Sequence, residues 1–164
     1  MAGALAVNAS ITHLDVRFND ISGEGASQLS AAVLSHTKME VFNEIPVKEM
    51  RADSLTELNL YDKGIGVVGG MVVAGLLPVM ASITHIGEGG LILHCNEIGD
   101  EGWAAIIGAV CSSTVSKVSS IDVSGEELRP KGAKLIGEAL GTSVNASITE
   151  VCLIRESWWH HSVS

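Results

Sequence analysis

Aromatic side chains are scarce in this 164-residue chain: three Trp, two Phe and one Tyr make up 4% of it, against 46% hydrophobic residues overall. A core must therefore come from Leu, Ile, Val and Ala, whose modest sizes suit uniform slots repeated at fixed spacing. Basic residues are few as well, ten Lys and Arg against nineteen Asp and Glu, for a formal net charge of −9 and a pI near 5.0. That balance argues against a phosphate-tracking surface, so no nucleic-acid partner is expected. No apolar run reaches the roughly 20 residues that span a bilayer, so no membrane span is expected. The opening Met1-Ala2-Gly3-Ala4-Leu5-Ala6-Val7 is too short and lacks the basic flank of a secretory signal. Three cysteines, Cys95, Cys111 and Cys152, form no metal-ligand spacing, and an odd number cannot all pair within one chain. They are expected to be buried or half-buried thiols in a reducing compartment, which points to a cytoplasmic protein.

Catalytic and metal chemistry are equally poorly provided for. His160 and His161 are adjacent rather than at helical ligand spacing, and His13, His85 and His94 fall on strand exteriors, so no metal or cofactor is expected. No nucleophile, base and oxyanion arrangement can be assembled from the spacing, and the expectation is a protein that is not an enzyme.

What the chain does have is a repeated unit, laid out most fully from Leu91 to Val110. Leu91 and Leu93 alternate with Ile92 and His94 in the two-residue period of a strand with one buried face. Gly99-Asp100-Glu101-Gly102 then supplies turn glycines and an acidic first helical turn, and Ile106 and Val110 follow on one helical face. With Ile98 as reference, the equivalent positions are Ile21, Ile65, Leu128 and Trp158. Seven residues before each stand Leu14, Leu58, Leu91, Ile121 and Val151, and five before stand Val16, Leu60, Leu93, Val123 and Leu153. Four residues after the reference, the four complete units carry Gly25, Gly69, Gly102 and Gly132; eight after come Leu29, Val73, Ile106 and Ile136; twelve after come Val33, Leu77, Val110 and Leu140. One strand and one helix cannot bury both apolar faces alone, so such units must stack.

The pattern LxxLxLxxNxI, followed by a glycine turn and a helix, resembles leucine-rich repeats, most closely the long ribonuclease-inhibitor-like subclass. The resemblance implies an α/β solenoid, a curved horseshoe with a parallel sheet on the concave face and helices on the convex face. It also implies that the Asn column hydrogen-bonds turn backbone between units. Asn19 and Asn96 keep that column, whereas Lys63, Glu126 and Glu156 replace it. A charge there needs a partner, so these turns are expected to be more open and the ladder interrupted.

Taken in order, residues 1–164 form a single domain. A partial unit covers 1–10, resembling the later helix exit Val144-Asn145-Ala146-Ser147, and a full unit runs over about 11–38. Residues 39–53 are a short, helix-less unit, a strand closed by Pro46 and a connecting loop. Further units cover 54–81, 82–117 and 118–146, with Pro130 in the last one's first helical turn, and a terminal strand and tail occupy 147–164. Gly64-Ile65-Gly66-Val67-Val68-Gly69 matches a dinucleotide fingerprint, but it falls on the repeat's own turn and reads as that turn. In unit 82–117 the extra Gly87-Glu88-Gly89-Gly90 predicts a bulge or protruding loop. Trp103 stands where Ala26, Gly70 and Ala133 are the rule, either packed between helices or displayed as a partner anchor. Asn8-Ala9-Ser10 and Asn145-Ala146-Ser147 fit the glycosylation sequon only because the repeat recurs. Trp158 is expected to cover the open end of the core.

Alternation places His13, Asp15, Arg17, Glu57, Asn59, Tyr61, Ile92, His94, Asp122 and Ser124 on the inner sheet face, beside Ser120, Glu150, Cys152 and Ile154. A broad mixed surface without a deep apolar pocket suits a folded protein partner. The expected function is a non-catalytic protein-interaction scaffold, a subunit of a larger assembly, with further subunit contacts through its exposed repeat ends. The alternative, implied only by resemblance to the Ran GTPase activator, is a GTPase activator in which Arg17 or Asn59 contacts the GTPase.

Overall fold

The turn between strand and helix dictates the architecture. In the first three complete units, the residues three before and one before the reference column both take left-handed backbone: Phe18 and Asp20, Asp62 and Gly64, Cys95 and Glu97. Left-handed conformations are costly for side chains such as Phe and Glu. Each turn must therefore be held by bonds stronger than its local preference, and the turn ladder described below supplies them.

A computed structural model describes residues 10–154. In chain order these form β1 (His13–Leu14), α1 (Gly23–Ser35), β2 (Val41–Phe42), α2 (Val47–Arg51), β3 (Leu58–Asn59) and α3 (Gly66–Leu76), which ends in a 3-10 turn at Leu77–Val79. There follow β4 (His85–Ile86), β5 (Leu91–Ile92), α4 (Gly99–Ser112), β6 (Ser120–Asp122), α5 (Pro130–Gly141) and β7 (Glu150–Cys152). Every pairing between these strands is parallel, so the sheet and helices fit the α/β architecture of leucine-rich repeats. The strands fall into two ladders, β1-β2 and β3-β5-β4-β6-β7. The side chains of the first ladder close the gap, with Asn43 Nδ2 donating to the Ile65 carbonyl at 3.1 Å and Arg17 Nη1 to the Lys63 carbonyl at 3.0 Å.

The expected columns form the core. Leu91, Leu93, Ile98, Ile106 and Val110 of the central unit are all buried, and full burial of such a side chain contributes about 1.5–3 kcal/mol. Their counterparts Leu14, Val16 and Ile21 in the first unit, and Leu128, Leu140 and Val151 towards the last, are only half-buried, since among the described residues these units have fewer neighbours to cover them.

Two insertions depart from the expected outline. Residues 39–53 are not helix-less: Asn43 and Glu44, at φ 47° and 66°, make a tight turn of type I′, with Phe42 and Ile45 exchanging amide bonds of 3.0 and 2.7 Å. Val47–Arg51 then forms a short helix whose Val47 and Met50 are buried. Five residues carry too few apolar positions for a helical period to show. Arg51, partly buried, donates to the carbonyls of Val33, Leu34, His36 and Met39 and so closes the C-terminal end of α1, where helix carbonyls lack partners.

The second departure is Gly87–Gly90, which is neither a bulge nor a simple protrusion. The segment coils so that Ile86 and Leu91 lie side by side in register, β5 against β3 and β4 against β6. One unit thus contributes two lanes of sheet. Gly90 passes so close to the His85 carbonyl that a Cβ would collide with it, which explains a glycine there.

Trp103 is fully buried between helices, which removes the displayed-anchor reading. The expected partial unit lies outside the described residues over its first nine positions, and the expectations for Glu156, Trp158 and His160-His161 lie outside them entirely.

Candidate functional site

The strand face is built in three rows by alternation along the strands. His13, Glu57, His85, Ser120 and Glu150 form the first row, and the sheet register puts His85 opposite Ser120 and Ser120 opposite Glu150. Asp15, Asn59, Ile92, Asp122 and Cys152 form the second, with Asn59 opposite Ile92 and Asp122 opposite Cys152. Arg17, Tyr61, His94, Ser124 and Ile154 follow two residues on.

Several of these residues serve the fold. Asp15, Asn59 and Asp122 each accept the amide two residues on, from Arg17, Tyr61 and Ser124 at 3.0, 2.9 and 2.9 Å, which turns the strand into the loop. Arg17 is committed more deeply: its guanidinium binds both carboxylate oxygens of Asp15, reaches Glu44 at 3.2 Å and the Lys63 carbonyl, and lies over the Phe18 ring. Its side chain holds Asp15 well below the usual carboxylate range, with the Arg17 amide adding to the effect. Arg17 is thus spent on internal bonds, whereas Asn59 is exposed and engages its side-chain oxygen with the Tyr61 amide.

The centre of the face is freer. Tyr61 is 53% exposed, one lane across from the half-buried Ile92, and its hydroxyl is pushed above its usual range by the hydrogen bond with the Cys95 thiol. Cys95 is exposed, not buried as expected, because its left-handed backbone turns it outward, while Cys111 is buried and Cys152 half-buried. His94 lies 4.0 Å from Glu126, and burial of Asp122 opposes its ionisation, yet its bonds with Ser124 and the charge of His94 keep that carboxyl below its usual range. His13 and His85 each sit 2.8 Å from the hydroxyl of the preceding threonine, a repeat of the same Thr-His pair. Their two positions, with Glu57, are exposed.

Behind the face runs the ladder that holds the turns. Asn96, fully buried, accepts the amides of Lys63 and Ile65 in the preceding unit at 3.0 and 3.3 Å and donates to the carbonyls of Leu60, Leu93 and His94. Asn43 does the same for the first unit, accepting the Val16 amide at 2.9 Å. Sequence reasoning missed Asn43, although Asn43-Glu44-Ile45 repeats Asn96-Glu97-Ile98. Asn19 is exposed and donates only within its own turn. At Glu126 the ladder is not interrupted, contrary to expectation. One carboxylate oxygen accepts the Cys95 amide and the other the Trp103 indole N–H, both at 3.1 Å. A large residue in a small column and a charge in an Asn column answer each other, since the indole needs an acceptor and the carboxylate a donor.

A cleft of about 710 Å³ opens on the turn side of the stack, against the first residues of α4 and the entry to α5. Part of its charged lining is paired internally: Lys131 binds Glu101 at 2.9 Å, and Asp100 accepts the Arg129 amide at 2.8 Å. A Cβ at Gly132 would run into the Asp100 carboxylate, so the helix glycine column serves close approach. Among the described residues, no three His, Cys, Asp or Glu side chains group as metal ligands would, and no helix is long and apolar enough to cross a membrane. Asn145 is buried, with its amide donating to the Val110 and Ser116 carbonyls, so its sequon is closed to modification in the folded chain.

Residues 7–30, which take in β1, its turn and the first turns of α1, match the family model described as Leucine Rich repeat. This match supports reading the chain as a leucine-rich-repeat protein, a class whose domains generally mediate protein–protein interaction and are typically not catalytic. No curated protein matches the chain.

Proposed function

We propose that the chain is a non-catalytic scaffold that binds a partner protein through its strand face, as a subunit of a larger assembly in a reducing, cytoplasmic setting. Its long helical units favour the ribonuclease-inhibitor-like subclass. One observation carries the reading: helices cover one face of an all-parallel sheet, whereas the other bears half-exposed and exposed groups centred on Tyr61, Ile92 and His94. Parallel sheets are ordinarily covered on both faces, so an uncovered one is a surface in want of a second layer. A partly exposed aromatic one lane from an aliphatic side chain, ringed by polar groups, has the make-up of an interface centre.

Affinity purification of the tagged chain, beside a Tyr61→Ala/His94→Ala variant, tests this. Neither change removes a side chain of the turn ladder. A partner retained by the parent and lost by a folded variant is the expected result; equal retention by both would move the binding site off the strand face.

A further inference from the structure

We propose that the surface this face receives is flat and basic: a folded protein that presents lysines or arginines to an almost planar sheet. The inference rests on the scaffold reading above and adds shape and charge to it.

Shape follows from lane counting. A horseshoe curves because strands stack about 4.8 Å apart and helices about 8–10 Å apart, so one strand per helix makes the strand side the shorter arc. Here both insertions add strands without adding a full helix interval. From β3 to β6 the ladder has three spacings, roughly 14 Å, against two between α3 and α5, roughly 16–20 Å. The two arcs nearly match over this stretch. A face of this kind cannot wrap a rounded partner; it meets a flat one.

Charge supplies the second half. Of the described residues that alternate outward along the strands, Arg17 alone is a lysine or arginine, and its guanidinium is saturated by Asp15, Glu44 and the Lys63 carbonyl. Glu57, Asp122 and Glu150 remain, none of them paired with a lysine or arginine: Glu57 stands on the lane of Tyr61, and Asp122 and Glu150 stand on lanes beyond Ile92. Cationic groups set against this rim find acceptors, and the exposed Tyr61 ring can take a guanidinium over its face. An acidic partner would meet like charge with no unpaired lysine or arginine among the described residues of the face to answer it.

The test uses the full chain and three probes: lysozyme as a basic folded protein, octa-arginine as a basic flexible segment, and ovalbumin as an acidic folded protein, each titrated calorimetrically at low salt. Glu57→Gln/Asp122→Asn/Glu150→Gln removes the rim charge, and the side-chain carbonyl kept by the Asp122→Asn change can still accept the Ser124 amide. Glu24→Gln/Glu49→Gln/Glu138→Gln removes as much charge from the helix side. The expected result is lysozyme binding that weakens tenfold or more in the strand-face variant, changes less than twofold in the helix-side variant, and exceeds that of both other probes. Equal loss in the two variants, binding of ovalbumin at similar strength, or absence of lysozyme binding would overturn the proposal. Octa-arginine binding as tightly as lysozyme, with the same dependence on the rim, would overturn the flat folded partner in favour of an extended basic segment. If Tyr61→Ala/His94→Ala abolishes capture of the cellular partner while the rim variant captures it unchanged, the scaffold reading stands and the basic partner falls.

Discussion

Replacing Asn96 by Ala should be among the most damaging single changes in this chain. Its side chain bonds two amides of the preceding unit and three carbonyls, and it is fully buried. Truncation leaves the Lys63 and Ile65 amides and the Leu60 and Leu93 carbonyls without these bonds in a place water reaches poorly, and each stranded group costs about 1–3 kcal/mol. With the turn relaxing and some groups reaching solvent, the sum comes to about 3–5 kcal/mol. The left-handed backbone at Cys95 and Glu97, which Asn96 separates, also loses its restraint. Urea unfolding followed by far-ultraviolet circular dichroism measures the loss, with Asn19→Ala as control, because Asn19 is exposed and bonds only within its own turn. The control should lose less than about 1 kcal/mol. If Asn96→Ala loses no more than Asn19→Ala, the ladder does not hold the units together and the account of the turns is wrong.

Trp103→Ala should cost about 3–5 kcal/mol in the same assay, through a cavity between helices and a Glu126 carboxylate deprived of its indole donor; a loss under about 1 kcal/mol would refute that packing. Arg51→Met keeps the stem but removes a donor from four carbonyls near the end of α1, of which Val33 and His36 keep a backbone donor, for an expected loss of about 1–3 kcal/mol, whereas Lys48→Met, exposed and bridged to Glu40, should leave the urea midpoint nearly unchanged. Asp53 is held below the usual carboxylate range chiefly by the Ser82 amide. Its contribution to stability is therefore complete above the ordinary carboxylate pKa of about 4 and lost as pH falls through the lower folded value, so Asp53→Asn should flatten part of the acid limb when urea midpoints at pH 3 and pH 6 are compared. Peptide mapping of chain expressed in a glycosylating host should find Asn145 unmodified, and its modification in folded protein would contradict the burial of that amide.

The repeat was legible because stacking demands the same residue at the same place in each unit. The columns through Leu91, Leu93, Ile98, Ile106 and Val110 could be set out from spacing alone, and they form the core. Strand alternation likewise identified the outward rows, since period two follows from backbone geometry without reference to neighbours. Contacts between units were not legible. That Trp103 and Glu126 satisfy each other across 23 positions, that Asn43 stands in the ladder, and that Arg17 is bound up with Asp15, Glu44 and Lys63 all depend on which turns come to lie side by side. The short helix Val47–Arg51 escaped notice because five residues hold little more than one turn.

By itself, then, the sequence determined the strand-turn-helix period and which columns turn inward to the core, because these follow from local periodicity repeated in register. Only the tertiary structure decided how Gly87–Gly90 is used, as a coil that adds a lane of sheet, and which charged residues on the strand face are paired within the chain. The physical reason is one of range: periodicity is a property of neighbours along the chain, whereas which lanes pair and which turns share bonds is settled between units that meet only when they stack.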